Sequence, residues 1–142
     1  MKTTNDLMNV LNNIDDKEGL NEYLNGLEKY KDLDAIKYYD TLRKEHGVSK
    51  SDVVKSSGIS RTYCYQILNG TRKPGRNNAI SLCLASHLTL VESLRYLEIL
   101  QLGILYPKDI RDSLIIYAIN RQYSVQQTNE LLYSKNEATL DD

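Results

Sequence analysis

Residues 48–74 read VSKSDVVKSSGISRTYCYQILNGTRKP, and the order of caps, apolar positions and glycines in this stretch decides the fold. Ser49 followed three residues later by Asp52 is a capping-box pattern, so a short helix opens there, carries Val53 and Val54, and stops at Gly58. Ser60 is placed to cap a second helix with Cys64, Ile67 and Leu68 inward, and Gly70 can take the left-handed conformation that ends it. Two short helices joined at Ser57-Gly58-Ile59 are expected, the second spanning about 60–69. The basic loop Thr71-Arg72-Lys73-Pro74-Gly75-Arg76 follows.

Outward from this pair, helix signals recur and alternating strand patterns with hairpin turns do not, so the fold class is all-α. Upstream, Leu7, Met8 and Leu11 share a stripe of a first helix from about Thr4, broken over Asn12 to Asp16. Leu20, Tyr23, Leu24 and Leu27 form one apolar face of the next. Leu33, Ile36, Tyr39 and Leu42 line a helix ending at His46-Gly47. Downstream, a helix from about Asn77 buries Ile80, Cys83, Leu84 and Leu88, and Thr89 with Glu92 caps another lined by Leu90, Leu94 and Leu97. Pro107 suits the first turn of a helix with Ile110, Leu114, Tyr117 and Ala118 inward and Arg111 and Asp112 as surface ions. Ser124 with Gln127 caps the last helix, bearing Val125, Leu131 and Leu132, after which a polar tail is expected to fray. The organisation expected is an N-terminal helical extension (1–32), a central domain (33–88), a C-terminal helical half (89–135) and the tail (136–142).

The pair at 48–74, with its Asn-Gly helix end and basic loop, resembles the helix-turn-helix of Cro/C1-type, lambda-repressor-like (Xre) transcriptional regulators over about residues 36–88. The resemblance implies a five-helix domain whose second motif helix lies in the major groove of double-stranded DNA. Carried over by position, Arg61, Thr62 and Gln66 reach base edges, with Tyr65 a further base contact on the same outer arc. The chemistry of these side chains agrees independently. Arginine pairs bidentately with guanine, glutamine with adenine, and the threonine methyl suits the thymine methyl. Tyr63 is divided between base contact and packing. Phosphate contacts are expected from Lys50, Ser60, Asn69, Arg72 and Lys73, and more weakly from Arg43 and Arg76. The chain differs from the family pattern at Lys50, Val54 and Ser57, usually Gln, Ala and an apolar residue. Lysine is expected to keep a phosphate donor but to lose the amide's double role toward phosphate and a neighbouring side chain.

The charge distribution supports a phosphate partner. The chain of 142 residues has a net charge of −1, yet residues 42–76 hold eight basic against two acidic side chains, and both flanks are acidic. No apolar run reaches the roughly 20 residues of a membrane span, and the N-terminus lacks a secretory pattern, so a cytoplasmic protein is expected. Cys64 and Cys83 have no neighbouring ligands at metal spacing; neither a metal nor a cofactor is implied. His46 and His87 have no partners resembling a catalytic pair, and no glycine-rich phosphate loop is present, so an enzyme is not expected. A single helix-turn-helix reads few base pairs, so a homodimer formed through the C-terminal helices is the simplest expectation, a protein or peptide partner there being the other. The competing function is a protein-interaction adaptor or antirepressor-like module that keeps the fold without binding DNA.

Overall fold

A computed structural model describes residues 4–141, with side chains other than those of Thr4 and residues 27–33. Leu27 and Leu33, assigned to apolar stripes above, lie outside the described side chains. The described residues form eight α-helices and no strand: α1 (Thr4–Asn12), α2 (Lys17–Glu45), α3 (Lys50–Ser56), α4 (Arg61–Leu68), α5 (Arg76–Ala85), α6 (Leu90–Ile99), α7 (Ile110–Asn120) and α8 (Val125–Ser134).

Local chemistry sets most of the boundaries. The Ser49/Asp52, Thr89/Glu92 and Ser124/Gln127 capping boxes all form, each satisfying donors that a helix start leaves open. Asp16 accepts from the Gly19 N–H and opens α2, which then runs unbroken to His46. Residues 32 and 33, the expected junction of the extension with the central domain, therefore lie inside one helix. The stretch between them and Leu20 holds no proline and only Gly26 as a weak breaker, so nothing local interrupts the hydrogen-bond ladder. Gly47, Gly58 and Gly70 all have positive φ where the chain turns after α2, α3 and α4.

α5 is the centre of the molecule. Every residue from Ala79 to Ala85 is buried, and the helix packs on α3, α6 and α8. Around it a single apolar core joins Val53, Cys64 and Ile67 of the motif helices to Leu97, Ile115 and Leu132 of the C-terminal ones. Tyrosine supplies the aromatic part of this core without stranding its hydroxyl. The Tyr39 ring packs on Tyr96 at 5.2 Å, and its O–H lies 2.8 Å from the Leu82 carbonyl and 2.6 Å from Ser86 Oγ.

The C-terminal half departs from expectation in four ways. Pro107 sits in the turn before α7, not in its first helical turn, because Asp109 makes the cap by accepting from the Asp112 N–H at 2.8 Å. The inward face of α7 is Asp112, Ile115, Ala118 and Ile119, so Ile110 and Tyr117, expected inside, are exposed. Nearly every face of this helix carries an apolar residue, so the repeat alone does not select one. Asp112 and Arg111 are not surface ions. Asp112 is 6% exposed and receives both terminal nitrogens of Arg76, at 3.1 and 2.9 Å, while Arg111 donates to Asn77 and to the carbonyls of Ala138 and Thr139.

The fourth departure is the tail. It is docked, not frayed: Leu140 is buried, its N–H donates to Asn129 Oδ1 at 2.8 Å, and Arg111 holds the two preceding carbonyls. One leucine inserted into the core supplies the burial that the polar composition of the segment conceals.

Candidate nucleic-acid interface

The surface around α4 is built from the inside. Cys64, Ile67 and Leu68 bury one face of this helix, which points its other face at solvent. Arg61 and Thr62 are exposed, and Tyr65 and Gln66 half-buried, so the four positions expected to read bases lie off the buried face. Ser60 caps the helix, its Oγ 3.4 Å from the Tyr63 N–H. The hairpin bend before it is tight: the N–H of Ile59 donates to the buried Ser57 Oγ at 3.2 Å, and Ser57 in turn lies 3.8 Å from the Cys64 sulfur. Serine at position 57 thus bonds the turn it sits in, and the small hydroxyl leaves α4 free to approach. Val54, the bulkier departure in α3, is accommodated as a partly buried residue against the core.

The polar residues expected to contact phosphate flank this helix. Lys50, at the start of α3, reaches Asn69 at the end of α4 with Nζ 3.4 Å from Oδ1, so two of them meet across the pair. Lysine therefore does bond a neighbouring side chain here. Its ammonium has three donors, and the bond to Asn69 uses one of them. Past the helix, the N–H groups of Thr71 and Arg72 both donate to the Gln66 carbonyl, at 2.8 and 3.2 Å, which ties the basic loop to the helix end.

Tyr63 packs, and in packing it organises that loop. Its ring is partly buried against the core, its O–H donates to the Lys73 carbonyl at 3.3 Å, and the Arg72 guanidinium lies over the ring at 5.2 Å from the centroid. Arg61 lies over the Tyr65 ring in the same manner, at 5.5 Å. The second pairing has a local signal, since residues 61 and 65 stand four apart on a helix. The first joins a helix to a loop, and no spacing rule reports it.

Arg43 and Arg76, the two weaker phosphate residues, are turned inward. Arg43 is buried, paired with Asp40 and donating to the Val48 carbonyl at 2.8 Å. Arg76 is held by Asp112 and by the carbonyls of Gly103 and Ile104, at 3.2 and 3.1 Å. Burial pushes the Asp112 carboxyl up, but the Arg76 guanidinium and the Tyr106 N–H together outweigh it and hold the group below the ordinary carboxylate range. Of the basic residues in 42–76, Arg61, Arg72 and Lys73 stay exposed on α4 and the loop after it with half-buried Lys50 beside them, while the exposed Lys44, paired with Asp40, and Lys55 lie on α2 and α3.

Cys64 and Cys83 are free and buried, and burial pushes the Cys83 thiol up to about 12. Among the described residues no group of His, Cys, Asp and Glu is arranged to hold a metal ion, and no helix is long and apolar enough to cross a membrane.

No curated protein and no solved structure matches the chain. A family model described as Helix-turn-helix matches residues 41–90, the segment that runs from the end of α2 to the start of α6 and contains α3, the turn and α4. The caps, the bend at Ser57-Gly58-Ile59 and the outward face of α4 coincide with that match, and the chain carries at residues 41–90 a Cro/C1-type helix-turn-helix domain in an all-α, lambda-repressor-like fold.

Proposed function

We propose that this chain is a sequence-specific double-stranded DNA-binding transcription regulator, a repressor acting in the cytoplasm, that inserts α4 in the major groove. The observation that carries the reading is the two-sidedness of α4. Cys64, Ile67 and Leu68 anchor it, while Arg61 and Thr62 stand exposed at its N-terminal end with Tyr65 and Gln66 alongside. The N-terminal residues of such a helix are the ones that approach base edges. In this reading Arg61 pairs with guanine, Gln66 with adenine and Thr62 with a thymine methyl, and Tyr65 packs beside them. Lys50, Ser60, Asn69, Arg72 and Lys73 hold the phosphates on either side and set the register. Two copies bind half-sites about 34 Å apart.

Selection of bound sequences from a random duplex library tests this directly. The expected result is an inverted repeat whose recovery falls steeply with salt, since each neutralised phosphate contributes about −0.9 to the slope of log affinity against log salt. Arg61→Ala or Gln66→Ala then relaxes selection at one base pair and costs about 1–3 kcal/mol, whereas Lys73→Ala weakens all duplexes alike and lowers the slope by about one. Absence of any enriched sequence together with no salt-dependent binding would refute the reading in favour of a protein-binding adaptor.

A further inference from the structure

From the outer face of α7 we infer that a second copy of this chain packs there, antiparallel, helix on helix about a two-fold axis between Leu114 and Tyr117. The inference names the surface of the dimer that the proposed function requires. Its own support lies in the helix.

α7 has the composition of a buried element: Ile110 is followed by an unbroken apolar run from Leu114 to Ile119. A helix apolar on every face belongs in an interior. Here Asp112, Ile115, Ala118 and Ile119 are buried, with α6 and α8 packed against the helix. On the open side Ile110 is 69% exposed and Tyr117 45%, with Leu114 half-buried between them. These three positions and Arg121 are spaced 4, 3 and 4 along the chain, which is the spacing of a seam between two helices. The segment leading into α7 adds Ile104 and Tyr106, both more than half exposed.

Charge at the two ends of the seam fits a second copy, Asp109 being the acidic group at an end where the exposed Lys108 stands beside it in sequence. Asp109, the exposed N-cap, is acidic, and Arg121, the exposed C-cap, is basic. Antiparallel pairing about the stated axis sets residue 110 opposite 121 and residue 114 opposite 117 of the other copy. It thereby brings each Asp109 to the Arg121 of its partner, twice in the dimer. Parallel pairing would set like charges together. Antiparallel alignment is also favoured by the helix dipoles, the negative end of each lying beside the positive end of the other. Arg121 is already extended along the seam, its guanidinium 5.4 Å from the Tyr117 ring centroid and its Nε 3.3 Å from the Tyr117 oxygen. It therefore gives up little side-chain freedom on pairing.

Sedimentation equilibrium of the full chain without DNA tests the inference. At about 50 μM chain the expected species is twice the 16.3 kDa protomer. Ile110→Lys and Tyr117→Lys each raise the dimer dissociation constant by about 30-fold or more, the effect of losing a central anchor. Both side chains are exposed in the protomer, so unchanged helical circular dichroism and thermal midpoint separate loss of pairing from loss of folding. Arg121→Glu sets two carboxylates against each other and weakens the dimer. Asp109→Ser, which keeps a capping hydroxyl, restores part of that loss in the double variant. A monomeric wild type would overturn the inference. So would a dimer indifferent to Ile110→Lys and Tyr117→Lys, which would place the contact elsewhere, for example on the exposed Met8 and Leu24 of α1 and α2. Because the readout is mass without DNA, its failure is distinct from a failure of DNA binding.

Discussion

Replacing Asp112 with alanine removes the carboxylate that joins α7 to the start of α5, and its cost follows from what is left behind. The substitution deletes two bonds from Arg76, at 3.1 and 2.9 Å, and one from the Tyr106 N–H at 3.0 Å. Removing one partner of a buried ion pair costs about 3–5 kcal/mol because the other charge stays buried and uncompensated. Arg76 has a side chain 30% exposed and keeps the Gly103 and Ile104 carbonyls, so water and those acceptors relieve part of the penalty. The low end, about 3 kcal/mol, is expected, equivalent to a fall in Tm of about 6–12 °C for a chain of this size. Urea unfolding followed by circular dichroism measures it, and Asp112→Asn, which keeps the shape and an acceptor for Tyr106, should lose less. The folded-state pKa of Asp112 is depressed, so its stabilisation is fully present above the unfolded carboxylate value of about 3.9 and is lost as pH falls through the folded one. Wild type and Asp112→Asn should therefore converge in acid. A loss under about 1 kcal/mol for Asp112→Ala would refute the reasoning, since the pair would then behave as a surface salt bridge.

Three further outcomes are expected. Gly70→Ala should destabilise by about 1–2 kcal/mol, because φ there is +83° and a Cβ would press into Ile36 Cδ1; an unchanged urea midpoint would contradict the positive φ. Leu140→Ala should cost about 2–3 kcal/mol and hasten proteolysis of the tail, as loss of a buried leucine does, whereas wild-type resistance to protease would mean that the leucine does not anchor it. Cys64 and Cys83 should react with a thiol reagent only on unfolding, since burial raises both thiols and leaves almost no thiolate at neutral pH; rapid modification of the folded chain would refute their burial.

The helix-turn-helix is legible in the sequence because its signals are local. Ser49 with Asp52, Ser60, Gly58 and Gly70 act on backbone groups within a few residues, and the spacing of Cys64, Ile67 and Leu68 leaves one inward face for α4. The same holds for the capping boxes that open α6 and α8. The outward positions of Arg61 and Thr62 then follow from the helical repeat.

What lay beyond reach joins residues far apart in the chain. The Arg76–Asp112 pair spans 36 positions, so neither the withdrawal of Arg76 from the surface nor the burial of Asp112 leaves a periodic trace. Tyr63 under Arg72 depends on how a loop folds back on a helix. The inward face of α7 differs from the expected one because a helix with apolar residues on nearly every side contains no stripe to read, and packing with α6 and α8 buries Ile115, Ala118 and Ile119. The tail looked unstructured because its composition is polar, yet one buried leucine and the reach of Arg111 hold it. By itself the sequence determined the two motif helices, their caps and the outward face of α4, since those depend on hydrogen bonds and periodicity within a few residues. Tertiary structure decided which charges remain at the surface and which face of α7 is left bare, because burial and ion pairing are settled only when distant segments meet.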